Sequence, residues 1–476
     1  MQVFRVGSLH ESDEQLGLAH FLEHACFLKT KAYEKGDMIK FLESVGLEFG
    51  ADLNAHTSFS ETVYKLHVPI DDPNLSVFDE SIKILGEWAH NVIIDDSAIE
   101  TERNVVGEEH RAGLGLHSRL FHGWLQTVLG HHRISERLPI GGDGSIEGQA
   151  CVKHAPPEQF RKFYRDHYRP ELAAVIAVGD FSQPHIGGHS KVIHTLEKYL
   201  GPNEWPRTPA NRFQRASPVQ TTAPHVPPPL SDPSTSRSRF AESPRVLIQR
   251  DSELKWCSIT MGVFMEHMPF AATPRSLKAH LVQDIWFEVL NTRLQKVVED
   301  GGAESEFLHA HSSCDCFEGA HLAEFTCIAP EDAQWSAATL RLSLEVLRLC
   351  RFGVLPHELE RVRGEYKTRL HSAWASRHDV ESTDLVGRLV THFLHDEATS
   401  IRCTDEYRYR LSLRLAELVT LDELKEMSDK MRGLLDDHGP TWVNVKLSSN
   451  ETPCLGRHVL YISFPGMVLG FDPGAV

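Results

Sequence analysis

The chain has 476 residues, of which 41% are hydrophobic and 24% charged, and its formal net charge is -17. That length is too great for one ordinary core and implies about two to four domains. The acidic balance argues against nucleic acid and acidic membrane surfaces as partners, and no apolar run reaches the roughly eighteen residues that a membrane span needs.

The 9 cysteines are odd in number and irregularly spaced. This predicts a reducing compartment in which the thiols are mostly free and buried. Residues 1–6 have neither a basic start before an apolar core nor an Arg/Ser-rich amphipathic leader. No targeting signal is visible, so the expected location is intracellular, in the cytoplasm or an organelle.

Residues 2–6 read as a strand and lead through a polar turn into residues 17–31, which contain nothing that breaks a helix. Residues 37–45 form a second amphipathic helix that Gly46 stops. Residues 49–68 have β character, and their second half alternates like a half-buried strand. Helices follow at 81–92 and 95–116, the latter capped by Asp96 or Ser97. A turn-rich loop at 136–141 precedes a helix at 156–168, a buried strand at 173–180 and a helix at 191–200.

Residues 201–244 are rich in Pro, Ser, Thr and Arg and read as a linker. Strands resume at 246–249 and 257–265, followed by a long helix at 277–299. Strand-like runs around Phe307 and at 321–328 come next, then helices at 332–350, 356–375, 382–394 and 420–431. Strands at 442–447 and 458–462 end the chain. Both halves thus order a sheet and helices similarly. The expected fold is α+β, with two duplicated α/β sandwich domains in which a mixed sheet is covered by helices. They would lie at 1–200 and 245–476.

The chemistry concentrates in GLAHFLEHACF at residues 17–27. Residues four apart share a helix face, so His20 and His24 present two imidazoles together, as zinc requires of two ligands. Glu23 projects beside them, where a carboxylate can take a proton from a metal-bound water. His-x-x-Glu-His is the inverted form of the zinc-protease motif. Further on, Glu102 and Glu109 are two turns apart and share a face within about 20°. Glu108 is rotated by roughly 100° from Glu109. Two carboxylates on one stripe can supply a third ligand and a group that supports it.

With these stretches in view, the chain resembles the pitrilysin/insulinase family of zinc peptidases, including its processing-peptidase and PqqL-like branches. Residues 17–24 look like the metal motif, 49–64 like the substrate-edge strand, and 102–109 like the metal-ligand helix. Tyr168-Arg-Pro and residues 176–180 look like the end of the first domain, and ERLPIG at 136–141 resembles the PqqL-like branch. Over the second half the likeness is one of pattern only, so 245–476 is expected to be a homologous inactive domain.

The resemblance implies one zinc ion per chain with His20, His24 and Glu109 as ligands. Glu23 would be the general base and Glu102 the acid that supports the first ligands. Asn54, Ala55 and Thr57 would hold substrate backbone beside the zinc. It implies a metalloendopeptidase that takes an unfolded peptide as an added strand. The family repeats its domain to build two bowl-shaped halves, and this chain has the length of one. A second subunit or a homodimer is therefore expected to supply the other half, together with an Arg and a Tyr that bind the substrate carbonyl. Arg402 and Tyr409 have that spacing in the wrong setting and are read as chance. The family also carries a strand before the position of residue 1, and it separates the motif helix from the third ligand by fewer residues. These differences imply a truncated start or an unusual initiating Met, and an insertion between the two helices. The alternative is a non-catalytic family subunit that binds or scaffolds a partner.

Overall fold

The structure is a computed structural model, which describes residues 1–70, 76–129, 133–141, 151–182, 186–201, 205, 245–265, 273–301, 305, 307–317, 320–329, 334–395, 403–436, 442–447, 463–464 and 467–468. The expected strand at 458–462 and nearly all of the expected linker lie outside these residues.

In chain order the first elements are β1 (Gln2–Phe4), α1 (Leu18–Cys26), α2 (Asp37–Ser44), β2 (Leu53–Thr57), β3 (Thr62–Leu66), α3 (Ser76–His90) and α4 (Asp96–Ala112). Next come α5 (Leu116–Leu129), α6 (Arg133–Glu136), α7 (Pro157–His167), β4 (Ala173–Val175) and α8 (Gly188–Leu200). The later part holds β5 (Arg245–Arg250), β6 (Cys257–Met265), α9 (Pro274–Gly301), β7 (His309–Phe317), β8 (Ala320–Ala329), α10 (Trp335–Phe352) and α11 (Pro356–Ala375). It continues with α12 (Ser382–His395), α13 (Asp405–Glu417), α14 (Leu421–Asp436), β9 (Trp442–Leu447) and the two-residue strands β10 (Ser463–Phe464) and β11 (Met467–Val468).

Two compact units result. The first draws on Met1–Leu114, His131–Val226 and Val380–His395, the second on Gly115–Gly130, Pro227–Asp379 and Asp396–Val476. Each pairs a sheet with helices, the expected α+β arrangement.

The first unit's sheet has the order β2-β3-β1-β4, and every pairing in it is antiparallel. Tyr64 of β3 is fully buried and meets Trp88 of α3 with ring centroids 5.2 Å apart, while Phe4 of β1 meets Tyr168 at 4.3 Å. Almost every residue of α1 is buried, as a helix enclosed by other elements must be. The second unit's sheet has the order β5-β9-β6-β8-β7, with β5 parallel to β9 and the remaining pairs antiparallel. Its core contains Trp286 of α9, whose Nε1 donates to Ser428 Oγ at 2.9 Å.

Several boundaries differ from the sequence reading. The first helix ends at Cys26, not near residue 31. Backbone bonds from Ile93 N to Lys29 O and from Lys31 N to Asn91 O, each 2.9–3.0 Å, draw residues 29–31 into a bridge instead. The expected buried strand at 173–180 shortens to the half-buried β4. Helices α5 and α13 were missed. Gly123 weakens the helical signal of α5, but a Cβ there would stand 2.6 Å from the Gln249 side chain, which donates to Leu120 O at 3.0 Å.

His10 and His167 lie in the first unit with ring centroids 5.8 Å apart. Desolvation pushes both imidazoles down to about 4. Each is held neutral in the fold and protonates more readily once unfolded. Their contribution to stability is therefore complete above about pH 6.5 and is lost as pH falls toward 4. Their protonation between pH 7 and pH 5 should lower the melting midpoint of the metal-free chain by several °C. His10→Asn/His167→Asn should flatten that slope; an unchanged slope would assign the acid sensitivity to other groups.

Candidate metal centre

Helix α1 begins at Gly17, whose φ of +84° suits glycine and whose Cβ, if added, would lie 2.8 Å from Val152 Cγ2. The orphan N–H groups at this end need acceptors. The fully buried Glu11 provides them: Oε2 accepts from Gly17 N at 2.8 Å and Oε1 from Ala19 N at 2.9 Å. Arg133 donates to the Leu9 and Glu11 carbonyls, and Arg137 also donates to that of Glu11. Sequence reading missed Glu11, because its partners belong to the backbone and leave no side-chain pattern.

Helix α4 is capped by Asp95, which accepts from Ala98 N at 2.7 Å. Ser97 Oγ donates to Asp95 at 2.8 Å, so the cap is neither of the two residues expected. Further along α4, Arg103 Nη2 donates to Ala155 O at 2.6 Å and fixes the helix lengthwise.

These two helices bring the motif residues together. The His20 and His24 rings have centroids 4.8 Å apart. Nε2 of His20 lies 3.6 Å from Glu109 Oε1, and Nε2 of His24 lies 3.2 Å from Glu109 Oε2. The three donor atoms all fall within 4.8 Å of one another. Donors on a tetrahedral zinc, each ~2.0–2.2 Å from the ion, stand about 3.3–3.5 Å apart. Two imidazole nitrogens and one carboxylate are also a set found at catalytic zinc sites, so the residues fit such an ion.

The surrounding contacts reinforce that fit. Glu102 is buried, and its Oε1 lies 2.8 Å from His24 Nδ1. A proton held on Nδ1 leaves the Nε2 lone pair for a metal. Burial opposes charge on His24, yet the Glu102 bond and charge, with Glu109 and Glu23, raise its pKa. Burial, aided by His24, lowers His20 to about 4 and keeps it neutral as a ligand must be. The buried His20 Nδ1 has no hydrogen-bond partner among the described residues. Glu108, the other acid beside the ligand position, is exposed and pairs with Arg111 at 2.7 Å.

Glu23 is buried, and desolvation raises its pKa despite a hydrogen bond from Thr57 Oγ1 to Oε2 at 2.6 Å. Thr57 ends β2, an edge strand of the sheet. Bonds from His67 N to Asp52 O and from Ser58 N to Glu61 O fix the pairing with β3. By alternation, Ala55 and Thr57 turn their backbone groups toward the open edge. Asn54 Oδ1 accepts from Ala55 N at 2.8 Å, and Asn54 Nδ2 donates to Gly50 O at 3.2 Å. Arg402 lies outside the described residues. Tyr409 OH is 2.7 Å from His371 Nδ1, and its ring stacks on Trp374 at 4.8 Å.

Comparison with known proteins gives the class and then the family. The insulinase (peptidase family M16) description matches residues 3–122, and that of the M16 inactive domain matches 154–366. The chain belongs to this pitrilysin/insulinase-type family of metallopeptidases, in its PqqL-like branch. It is 27% identical to a "Zinc protease PQQL-like" of Arabidopsis thaliana, over 90% of this chain and 38% of that protein. It is 26% identical to the "Probable zinc protease PqqL" of Escherichia coli (strain K12), over 94% and 43%. The crystal structure of the first half of the E. coli periplasmic protease PqqL shares the fold, with a TM-score of 0.76 and 24% identity, covering 94% of this chain and 86% of that one. The chain spans about two fifths of the length of the curated relatives it matches. No helix among the described residues is long and apolar enough to cross a membrane.

Metal analysis tests the assignment. His20→Ala and His24→Ala should each abolish stoichiometric zinc. Glu109→Gln should lose it while Glu108→Gln retains it. Glu102→Gln should weaken zinc binding roughly 10–100-fold. Full zinc content in Glu109→Gln would refute the ligand set.

Proposed function

We propose that the chain is a zinc-dependent metalloendopeptidase that hydrolyses peptide bonds of unfolded peptides. One zinc ion per chain is held by His20, His24 and Glu109. The observation that carries this reading is the convergence of those three donors beside a buried carboxylate, Glu23, within a family of metallopeptidases.

When bound, the zinc supplies a Lewis acid that acidifies water and polarises a carbonyl. The chain's own residues do the rest. Glu102 holds the His24 imidazole through Nδ1 and so sets the direction of Nε2. Glu23 accepts the proton of the attacking water and passes it to the departing amine. Its raised pKa suits a group that must both take and give a proton. The peptide pairs with the β2 edge at Ala55 and Thr57, which reads backbone and leaves sequence preference loose. Asn54 meets the Ala55 N–H in the absence of peptide and moves aside when a substrate carbonyl replaces it.

We assign residues 1–200, apart from 115–130, to the catalytic domain and 245–476, apart from 380–395, to the inactive homologous one, with 201–244 as the linker. The other half of the chamber lies outside these residues, on a second subunit, a second copy of this chain or a further part of the same protein. The compartment is intracellular and reducing, in keeping with the described Cys26 and Cys151 being buried thiols outside any disulfide. Tyr409 takes no part, since its hydroxyl and ring are engaged by His371 and Trp374. The alternative reading is a non-catalytic subunit of this family that binds or scaffolds a partner.

Turnover of a quenched fluorescent peptide, with and without chelator, decides between these readings. Glu23→Gln should keep its zinc and lose turnover by ~10²–10⁴-fold. Undiminished turnover in that variant would remove Glu23 as the base. A zinc-loaded wild-type chain that is inactive at every oligomeric mass would favour the non-catalytic subunit.

A further inference from the structure

The resemblance places Thr57 among substrate contacts, yet its hydroxyl is directed elsewhere. Thr57 Oγ1 donates to Glu23 Oε2 at 2.6 Å, within the 2.5–2.7 Å range of a charge-assisted O–H···O⁻ bond. The hydroxyl is rigidly aimed. Threonine is stiff at χ1, and the backbone of Thr57 is registered against Thr62 of β3. Thr62 is itself anchored, its hydroxyl donating to Val6 O at 2.8 Å. A chain of fixed groups therefore runs from Val6, just after β1, through β3 and the end of β2 to one oxygen of Glu23.

Glu23 needs such a partner. It belongs to a helix whose surroundings are almost wholly buried, and a buried carboxylate without a hydrogen bond is costly. With Oε2 held, Oε1 is the oxygen left to receive a proton. The same Thr57 turns its backbone toward the edge on which a peptide would pair.

We propose that Thr57 is a positioning residue for the base. It fixes the Glu23 carboxylate in the orientation that serves proton transfer, and it ties that orientation to the strand edge that receives the peptide. This inference rests on the assignment of Glu23 as base. It adds that the hydroxyl of Thr57, and not its backbone alone, is required for turnover.

The test compares Thr57→Val, which keeps shape and β-propensity, with Thr57→Ser, which keeps the hydroxyl, in the zinc-loaded full chain. Thr57→Val should lower kcat by about 10–100-fold with KM and zinc content unchanged, and Thr57→Ser should remain within about 3-fold of wild type. A second readout needs neither metal nor turnover. Urea unfolding of the metal-free chain as wild type, Thr57→Val, Glu23→Gln and the double variant should show a coupling of about 5-fold or more in the unfolding equilibrium constant. A Thr57→Val kcat within about 2-fold of wild type, equal impairment of Thr57→Ser, or an additive unfolding cycle would each overturn the inference. Loss of turnover in Glu23→Gln but not in Thr57→Val would leave the base standing and remove only its positioning residue. Full turnover in Glu23→Gln would remove both. The unfolding cycle decides the coupling even if the chain alone has no turnover.

Discussion

The structure of the first unit depends on one constraint: a nearly fully buried helix must carry polar chemistry. Helix α1 is enclosed on almost every side, yet it holds two imidazoles, a carboxylate and the unpaired N–H groups of its own first turn. Each polar group left unsatisfied in such a place costs about 1–3 kcal/mol. The surroundings meet most of them, the His20 Nδ1 excepted. Glu11 closes the N-terminus, Thr57 meets Glu23, and Glu102 meets His24. These partners come from a loop, an edge strand and a second helix, so the site forms only when all three are in place.

Helix α4 meets a complementary requirement. It must present a buried acid and a more exposed one to the same pair of histidines. A separation of two turns does this, since Glu102 lies under His24 while Glu109 reaches the Nε2 side of both rings. The Asp95 cap fixes the start of the helix, and Arg103 holds it against the segment before α7. Sliding α4 by one residue would turn both carboxylates about 100° away. The anchoring of α4 therefore matters as much to the site as the acids themselves.

Side-chain periodicity was the legible part of this sequence. His20 and His24 at one helical spacing, and Glu102 and Glu109 at another, were each visible on their own stripe. Their meeting across a long stretch of chain was not, and only the resemblance supplied it. What stayed hidden depends on tertiary contact. Residues 27–31 contain no helix breaker, yet backbone bonds to residues 91–93 end α1 at Cys26. The Asp95 cap was confused with its neighbours because all three residues are capping types. Glu11 serves backbone groups, and Thr57 aims at an acid on another element, so neither leaves a local period to read.

The second unit also buries polar groups, among them Glu345 and Arg363, but each is met locally: Glu345 pairs with Arg348 and Arg363 donates to the Ala416 and Val419 carbonyls. Its long helix α9 buries Leu281, Ile285, Trp286, Val289, Leu290 and Leu294, apart from a few polar positions such as Gln283. At Gly262 of β6 an added Cβ would stand 2.0 Å from the Trp442 ring, so the strand gives up a side chain to let the indole pack closely. Among the described residues, His20, His24 and Glu109 form the only group of three potential ligands, and it lies in the first unit. A sheet with covering helices is thus no evidence of chemistry. Among the described residues, the difference lies in the set of donors that converge, and α1 supplies two of the three.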